Sequence, residues 1–328
     1  MRGTHLKGKT VLITGGTGTF GTAMTRHLLN ATAVQRVIVF SRDEYKQSQM
    51  AHQFGNDPKL VFFLGDIRDS ARLHRAFNRV DIIIHAAALK QVPALEYNPS
   101  EAIETNINGT KNVIDAALNQ NVERLLVISS DKAVQPINLY GATKLCAERL
   151  AVAANAYRGK KGKTRISVVR YGNVIGSRGS LVELIEKQRA SKQITLTDPR
   201  MTRFWIHIED IMQLVVEILG VMEGGEIFIP KMKSLRVEDV MKVLAPECKI
   251  KTIGIRPGEK LHELLITEHE ALRARDLGLM YAILPDFRTW ESKEPFAKKK
   301  LFPANAVYIS NNPDYLLDRS SVKKILKV

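Results

Sequence analysis

The chain has 328 residues, of which 45% are hydrophobic and 25% charged, the balance of an ordinary soluble globular protein with length for one large domain or two moderate ones. Two cysteines, Cys146 and Cys248, leave no room for a disulfide framework or a metal-ligand cluster and fit a reducing cytosol. A net charge of +15 raises nucleic acid and membrane surfaces as partners, but the basic residues are scattered, and their clusters at Lys160-Lys161-Gly162-Lys163 and Lys298-Lys299-Lys300 carry no nucleic-acid motif. No apolar run approaches membrane-spanning length and no secretory h-region precedes the first strand, so a cytoplasmic protein without nucleic-acid, membrane or metal partners is expected.

The first pattern is a short buried strand, Thr10 to Thr14, followed at once by Gly15-Gly16-Thr17-Gly18-Thr19-Phe20-Gly21 and a helical run through Leu28-Leu29. Glycines at 15, 18 and 21 permit a tight turn, close backbone approach to a pyrophosphate and close helix packing, with the helix N-terminus facing the phosphates. Gly15, Thr17, Gly18, Thr19, Phe20 and Gly21 are therefore candidate cofactor ligands. A second strand, Arg36 to Phe40, ends in Ser41-Arg42-Asp43. An acid at this place suits a free ribose 2′-hydroxyl and a cation suits a 2′-phosphate. Ser41 and Arg42 occupy it, so NADP is expected rather than NAD.

The alternation continues. Leu60 to Leu64 is a third strand, with Asp66 and Ile67 beyond it placed near an adenine. Asp81 to His85 is a fourth, followed by the small residues Ala86-Ala87-Ala88, of which Ala86 and Ala87 let the backbone approach the cofactor's middle. Lys90 could reach an anionic part of cofactor or substrate. His85 is expected to be a packed strand-end histidine, and Asn106, within a helix from Pro99 to Leu118, to make a buried hydrogen bond. Strands alternating with helices imply an α/β fold: a doubly wound parallel sheet of the Rossmann kind with helices on both faces.

The fifth strand, Leu125 to Ile128, leads into Ser129-Ser130-Asp131-Lys132 and then Tyr140-Gly141-Ala142-Thr143-Lys144. Ligands in such sheets sit beyond the carboxyl ends of strands. Tyr140 and Lys144 share a helical face, and an ammonium beside a phenol favours the phenolate that alcohol oxidation needs. Asp131 and Lys132 add an acid and an amine to the same pocket.

A sixth strand, Ile166 to Arg170, closes in Tyr171-Gly172-Asn173-Val174, after which polar loops replace the regular alternation. We place a dinucleotide-binding domain over 1–171 and a smaller α/β domain with a basic tail, capping the sheet's carboxyl edge, over 172–328, the helix at about 208–222 returning to the first. Short strands are expected at Ile227 to Pro230 and Lys251 to Ile255. Arg178, Arg203 and Arg256, in polar or glycine-containing loops, suit a diphosphate because guanidinium is a planar, permanently charged fork.

Together these stretches resemble the extended short-chain dehydrogenase/reductases, and within them the nucleotide-sugar 4,6-dehydratases. The nearest branch is the C5-inverting UDP-N-acetylglucosamine type that opens pseudaminic acid synthesis. The resemblance runs from about residue 8 to about residue 290. It is carried by Ile13 to Gly18, Ser41-Arg42-Asp43-Glu44, Ser130-Asp131-Lys132, Asn138 to Lys144, Arg170 to Val174, Met201-Thr202-Arg203-Phe204-Trp205 and Arg256 to Glu263. The glycine loop and Tyr-x-x-x-Lys mark only the wider family. Glucose-type dehydratases carry glutamate where Lys132 stands, and membrane-bound retaining relatives have methionine at the place of Tyr140 behind spanning helices. Both differences point to the soluble inverting branch.

The resemblance implies a hydro-lyase with UDP-N-acetylglucosamine as substrate and NADP as cofactor, working as a homo-oligomer. Tyr140, held by Lys144, would take the proton of the 4-hydroxyl while hydride leaves C4. Lys132, as a neutral amine, would remove the C5 proton, and a protonated Asp131 would release the 6-hydroxyl as water. Ser130 would orient the substrate hydroxyl. Lys90, Asn173, Arg178, Thr202, Arg203, Arg256 and Glu259 are the candidates for holding UDP and sugar. A nucleotide-sugar 4-epimerase and a non-catalytic dinucleotide sensor are the rivals.

Overall fold

The structure, a computed structural model, describes residues 3–159, 162–177, 180–286, 296 and 298–326. Its first half repeats strand and helix: β1 (Thr10–Thr14), α1 (Thr19–Ala31), β2 (Arg36–Ser41), α2 (Glu44–Gln53), β3 (Leu60–Leu64), α3 (Ser70–Ala76) and β4 (Ile82–His85). After α4 (Val92–Tyr97), the helix expected from Pro99 is α5 (Pro99–Ala102), a π-helical stretch over Ile103–Asn108, and α6 (Gly109–Asn119). Then come β5 (Arg124–Ser130), α7 (Leu139–Ala153) and β6 (Arg165–Tyr171).

These six strands pair in parallel in the order β6-β5-β4-β1-β2-β3. Their β-branched, almost wholly apolar sequences follow from burial on both faces; every residue of β4 and all but the first of β1 is buried. From β1 the chain moves to β2 on one side and later to β4 on the other. That reversal opens the crevice between the two strand ends in which doubly wound sheets hold ligands.

The second half contributes β7 (Asn173–Ile175), α8 (Leu181–Arg189), β8 (Gln193–Leu196), β9 (Thr202–His207), α9 (Ile208–Val221), β10 (Ile227–Pro230), β11 (Lys233–Arg236), α10 (Val237–Leu244) and β12 (Lys249–Thr252). It ends with β13 (Leu264–Ile266), α11 (Glu268–Ala271), β14 (Ala274–Asp276), β15 (Met280–Ile283), β16 (Tyr308–Ile309) and α12 (Val322–Leu326). Part of it returns to the main sheet: β10 adds parallel to β6, β15 antiparallel to β10, and β14 outermost, making nine strands. Helix α9 packs against α1, as its apolar face requires. A separate, smaller core is built from Ile185, Ile194, Leu196, Trp205, Leu235 and Val240. The three-stranded sheet β11-β9-β7 and the pair β12-β8 belong to this second half.

The strand expected over 251–255 instead runs Lys249–Thr252, because Gly254, with φ of +87°, turns the chain out of register. The tail is built into the fold. β16 pairs with β13, the buried Tyr308 hydroxyl bonds both the N–H and the C=O of Met232, and Val322 and Leu326 enter the smaller core.

Candidate active site

At the carboxyl ends of β1, β2, β4, β5 and β6 lies a cleft of about 860 Å³. One end is built by the glycine loop. Gly15 has φ of +66°, and a Cβ there would stand 2.8 Å from the Ala87 backbone; at Gly21 it would stand 2.4 Å from Gly16 Cα. Only glycine lets the β1–α1 turn close against the β4 end and the loop fold onto its own helix. Gly15, Thr17, Gly18, Thr19, Phe20 and Gly21 all line the cleft, as do Ser41, Arg42, Asp66, Ile67, Ala86, Ala87 and Lys90. This cradle, which any Cβ at Gly15 would block, fits the diphosphate of a dinucleotide above the N-terminus of α1.

The Arg42 guanidinium lies 3.6 Å from Asp66, with its side chain 57% exposed. Asp66 is held more firmly by Arg68, at 2.8 Å. Burial pushes the Asp66 carboxyl up, but the two arginines together hold it below its ordinary value. Next to the cleft, Asn106 in the π-helical stretch accepts from Leu89 N–H at 2.8 Å and donates to Leu89 C=O and Thr143 Oγ1. It thus ties the loop after β4 to α7. His85 is wedged between Thr14 Oγ1 at 2.7 Å and Thr110 Oγ1 at 3.0 Å, and burial with the nearby Lys144 charge pushes it down to about 3. It is a neutral packing residue.

The other end of the cleft carries Ser130, Lys132, Tyr140 and Lys144, with Asn173 across from them. Asn138 caps α7 through Gly141 N–H and ties it to the distant Gly258 C=O at 2.7 Å. Lys144 Nζ donates to Ile128 C=O at 2.6 Å, and burial lowers it to about 8. Tyr140 departs from the expected phenolate: burial raises its hydroxyl above the ordinary value, with the Lys132 charge and a Ser130 hydrogen bond opposing. In this state it is a phenol. The charge pulling on it comes from Lys132, because the Lys144 amine is turned to the β5 backbone.

Asp131 lies fully buried beneath this floor. Its Oδ1 accepts from Ser130 Oγ at 2.8 Å and Lys132 Nζ at 2.9 Å, while its Oδ2 has no hydrogen-bond partner among the described residues. Burial, with the Glu263 charge added, pushes the Asp131 carboxyl up against the pull of Lys132, the direction a proton donor needs. Lys132 does not match the expected neutral amine. Burial alone would lower it, but Asp131 and Glu263 flank it and raise it above its ordinary value, so the resting amine is an ammonium.

Four candidates for holding UDP and sugar lie outside the residues that line this cleft. Arg203 is buried, spending its guanidinium on the carbonyls of Thr202, Lys260 and Leu261 and on Glu263. The Thr202 hydroxyl is engaged by His262 Nδ1 and Ser310 Oγ. Arg256 is exposed on its loop, and Glu259 is half-buried with Oε2 unpartnered among the described residues. Arg178 lies outside the described residues, as do Lys160 and Lys161.

Two groups escaped sequence reasoning. Glu263, 2% exposed, sits at the start of β13 with Oε1 3.4 Å from Lys132 Nζ. Its signal is the one that marked Asp131: an acid abutting an apolar strand. The second is a buried knot around Arg170, which donates to Glu148 at 2.7 and 3.0 Å, to Glu270 at 3.0 and 3.2 Å and to Leu265 C=O. Ser129 Oγ also donates to Glu148, at 2.6 Å. The knot bolts α7 to the ends of β5 and β6, fixing the helix that carries Tyr140 and Lys144.

Fold and site together define a dinucleotide-binding protein of the extended short-chain dehydrogenase/reductase class, with a cluster of acid, lysine and tyrosine side chains at the β5 end. Residues 11–285 match the family model described as polysaccharide biosynthesis protein, and the chain belongs to that family. It is 47% identical over 291 residues to a UDP-N-acetylglucosamine 4,6-dehydratase (inverting) from Campylobacter jejuni, covering 88% of this chain and 86% of that one. It is 39% identical to a UDP-glucose 4-epimerase from Rickettsia akari, covering 97% of this chain and 95% of that one. Among solved structures, a dTDP-glucose 4,6-dehydratase from Streptomyces venezuelae with NAD bound superposes with a TM-score of 0.69 at 25% identity, covering 77% of this chain and 86% of that one.

Proposed function

We propose that this protein is a C5-inverting UDP-N-acetylglucosamine 4,6-dehydratase that uses NADP and serves a pathway of the pseudaminic acid type. The observation that carries the reading is that Lys132 and Tyr140 line one end of a dinucleotide cleft with Asp131 buried beneath them and hydrogen-bonded to Lys132. The Campylobacter relative supports the same substrate.

Gly15, Gly18, Arg42, Ala87 and Lys144 would hold the dinucleotide, which supplies a hydride acceptor for C4 and a donor for C6. Tyr140 acts in its ionised form, its own proton released to solvent through the open cleft, and in that form takes the proton of the 4-hydroxyl, which Ser130 orients. The resulting ketone acidifies C5–H. The Asp131–Lys132 contact of 2.9 Å lets the ammonium pass its proton to the carboxylate, which converts a resting ion pair into the acid and amine that dehydration requires. Lys132 then takes the C5 proton and Asp131 protonates the leaving 6-hydroxyl. Return of a proton to the opposite face of C5 inverts that centre.

The epimerase reading needs Tyr140 and Lys144 but gives Asp131 and Lys132 no C5 proton or C6 hydroxyl to handle. Incubation with UDP-N-acetylglucosamine separates the two. Loss of one water with inverted C5, read by mass and NMR, is expected; unchanged mass with an inverted C4 would install the epimerase instead.

A further inference from the structure

Resting on that reading, we propose that Glu263 is a positioning residue for the dehydration step: its carboxylate, fixed by Arg203, orients the Lys132 amine and stabilises the ammonium formed when C5 loses its proton. Lys132 Nζ stands between two acids, 2.9 Å from Asp131 Oδ1 and 3.4 Å from Glu263 Oε1. The two acids are not equivalent. Among the described residues Asp131 is hydrogen-bonded to this lysine and a serine, whereas Glu263 Oε1 also faces Arg203 Nε at 3.5 Å. One acid therefore has a permanent counter-ion and the other does not.

Local structure keeps that difference in place. Glu263 N–H donates to Ser310 Oγ at 2.8 Å, and Ser310 N–H returns a bond to Glu263 C=O. Ser310 Oγ also meets Thr202 Oγ1 at 2.7 Å, next to Arg203. Ser310, just after the tail strand β16, thus holds Glu263 directly and Arg203 through the neighbouring Thr202. Their positions are set by the fold and not by a bound ligand.

The proton bookkeeping assigns the roles. Once Lys132 has passed its proton to Asp131, both are neutral and Glu263 remains charged beside Arg203. The C5–H bond then breaks with its proton going to Nζ, its electron pair forms the C5–C6 double bond, and the C6–O bond breaks as Asp131 protonates the departing oxygen. Water leaves, and Lys132 is again an ammonium between two carboxylates. In a buried site an ammonium without a fixed anion at that moment would be costly.

The test is Glu263→Gln, which keeps shape and removes charge, with Lys132→Met alongside. With NADP-loaded enzyme and UDP-N-acetylglucosamine in heavy water, two signals are followed: reduced nicotinamide absorbance for C4 oxidation, and deuterium at C5. Glu263→Gln should slow C5 exchange by about 10²-fold, the scale of a misplaced reacting group, while C4 oxidation continues. Glu263→Asp, which restores the charge one methylene short, should recover part of the exchange. Should Glu263→Gln not fold, Glu263→Asp must show the same split on a smaller scale.

If Lys132→Met abolishes exchange and Glu263→Gln leaves it within about threefold of the unmodified enzyme, far from the 10²-fold expected, the role of Glu263 is refuted and the dehydratase reading stands. Parallel loss of both signals in Glu263→Gln would make the residue merely structural. Normal exchange in Lys132→Met would overturn the reading beneath both.

Discussion

Arg42→Ala should weaken NADP binding and leave NAD binding nearly unchanged. Arg42 is the cation at the end of β2, its side chain is 57% exposed, and its recorded partner is Asp66 at 3.6 Å. That separation is too long for a direct hydrogen bond and leaves the guanidinium available to a 2′-phosphate. A hydrogen bond to a charged group contributes about 1.5–3 kcal/mol, and solvent exposure puts this one at the lower end. The expected loss is therefore about tenfold in NADP affinity. Loss of Arg42 should not disorder the Asp66 carboxylate, because Arg68 holds it through two bonds, at 2.8 and 3.1 Å. Titration of both cofactors into both proteins, followed by nicotinamide fluorescence or calorimetry, gives the four affinities. Equal affinities for NADP and NAD in the unmodified protein would refute the reasoning.

Tyr140→Phe keeps the ring in the cleft and removes only its hydroxyl, so UDP-sugar binding measured by calorimetry should survive while turnover falls by about 10²–10⁴-fold. Near-normal turnover would mean another group oxidises C4. Arg170→Met should destabilise the fold by about 3–5 kcal/mol, because Glu148 and Glu270 would be left buried without their cation. Urea unfolding checks this, and an unchanged midpoint would mean the knot contributes nothing.

The parts of the site that neighbours in sequence determine were legible. β1, its glycine loop and α1 follow from one continuous stretch, and Tyr140 and Lys144 meet the cleft because four residues make one helical turn. Ser130, Asp131 and Lys132 follow from the strand they terminate. What failed was what depends on contacts between remote segments. Arg203 looked like a phosphate ligand because it lies in a polar stretch; only packing shows its donors spent on the backbone of 260–261 and on Glu263. Lys132 looked like a neutral amine because burial was visible in its strand-end position and the second carboxylate was not. Tyr140 and Lys144 both line the cleft, but the lysine's orientation toward Ile128 C=O depends on where β5 ends beside α7. The tail beyond residue 290 offered no motif, and its structural part in β16 and α12 rests on single apolar and hydroxyl side chains such as Tyr308 and Ser310.

The same remote contacts set how dehydration should respond to pH. The competent Asp131–Lys132 pair holds one proton, which passes from Lys132 to Asp131 before water leaves. A second proton, taken up as pH falls through the folded Asp131 pKa, leaves Lys132 an ammonium unable to accept from C5, so water loss is supported above that pKa and lost below it. Burial sets that pKa above the ordinary carboxylate range, Lys132 pulls it down and Glu263 pushes it up. Glu263 itself would be raised by burial, but Lys132, Arg203 and Lys260 hold it down, so it stays a carboxylate across the range in which Asp131 titrates. Lys260 faces Asp131 as well as Glu263, and Tyr140, also acting on this cluster, is kept a neutral phenol there by burial. Replacing Glu263 with glutamine removes the repulsion that raises Asp131 and leaves Lys132 with a single acid to pair with. Both changes lower the Asp131 pKa. The acid limb of the dehydration rate, measured as water loss from a preformed 4-keto intermediate, should therefore move toward lower pH in Glu263→Gln. An acid limb that stays in place would show that the group titrating there is not Asp131, and a shift toward higher pH would mean that Glu263 acts on Lys132 alone.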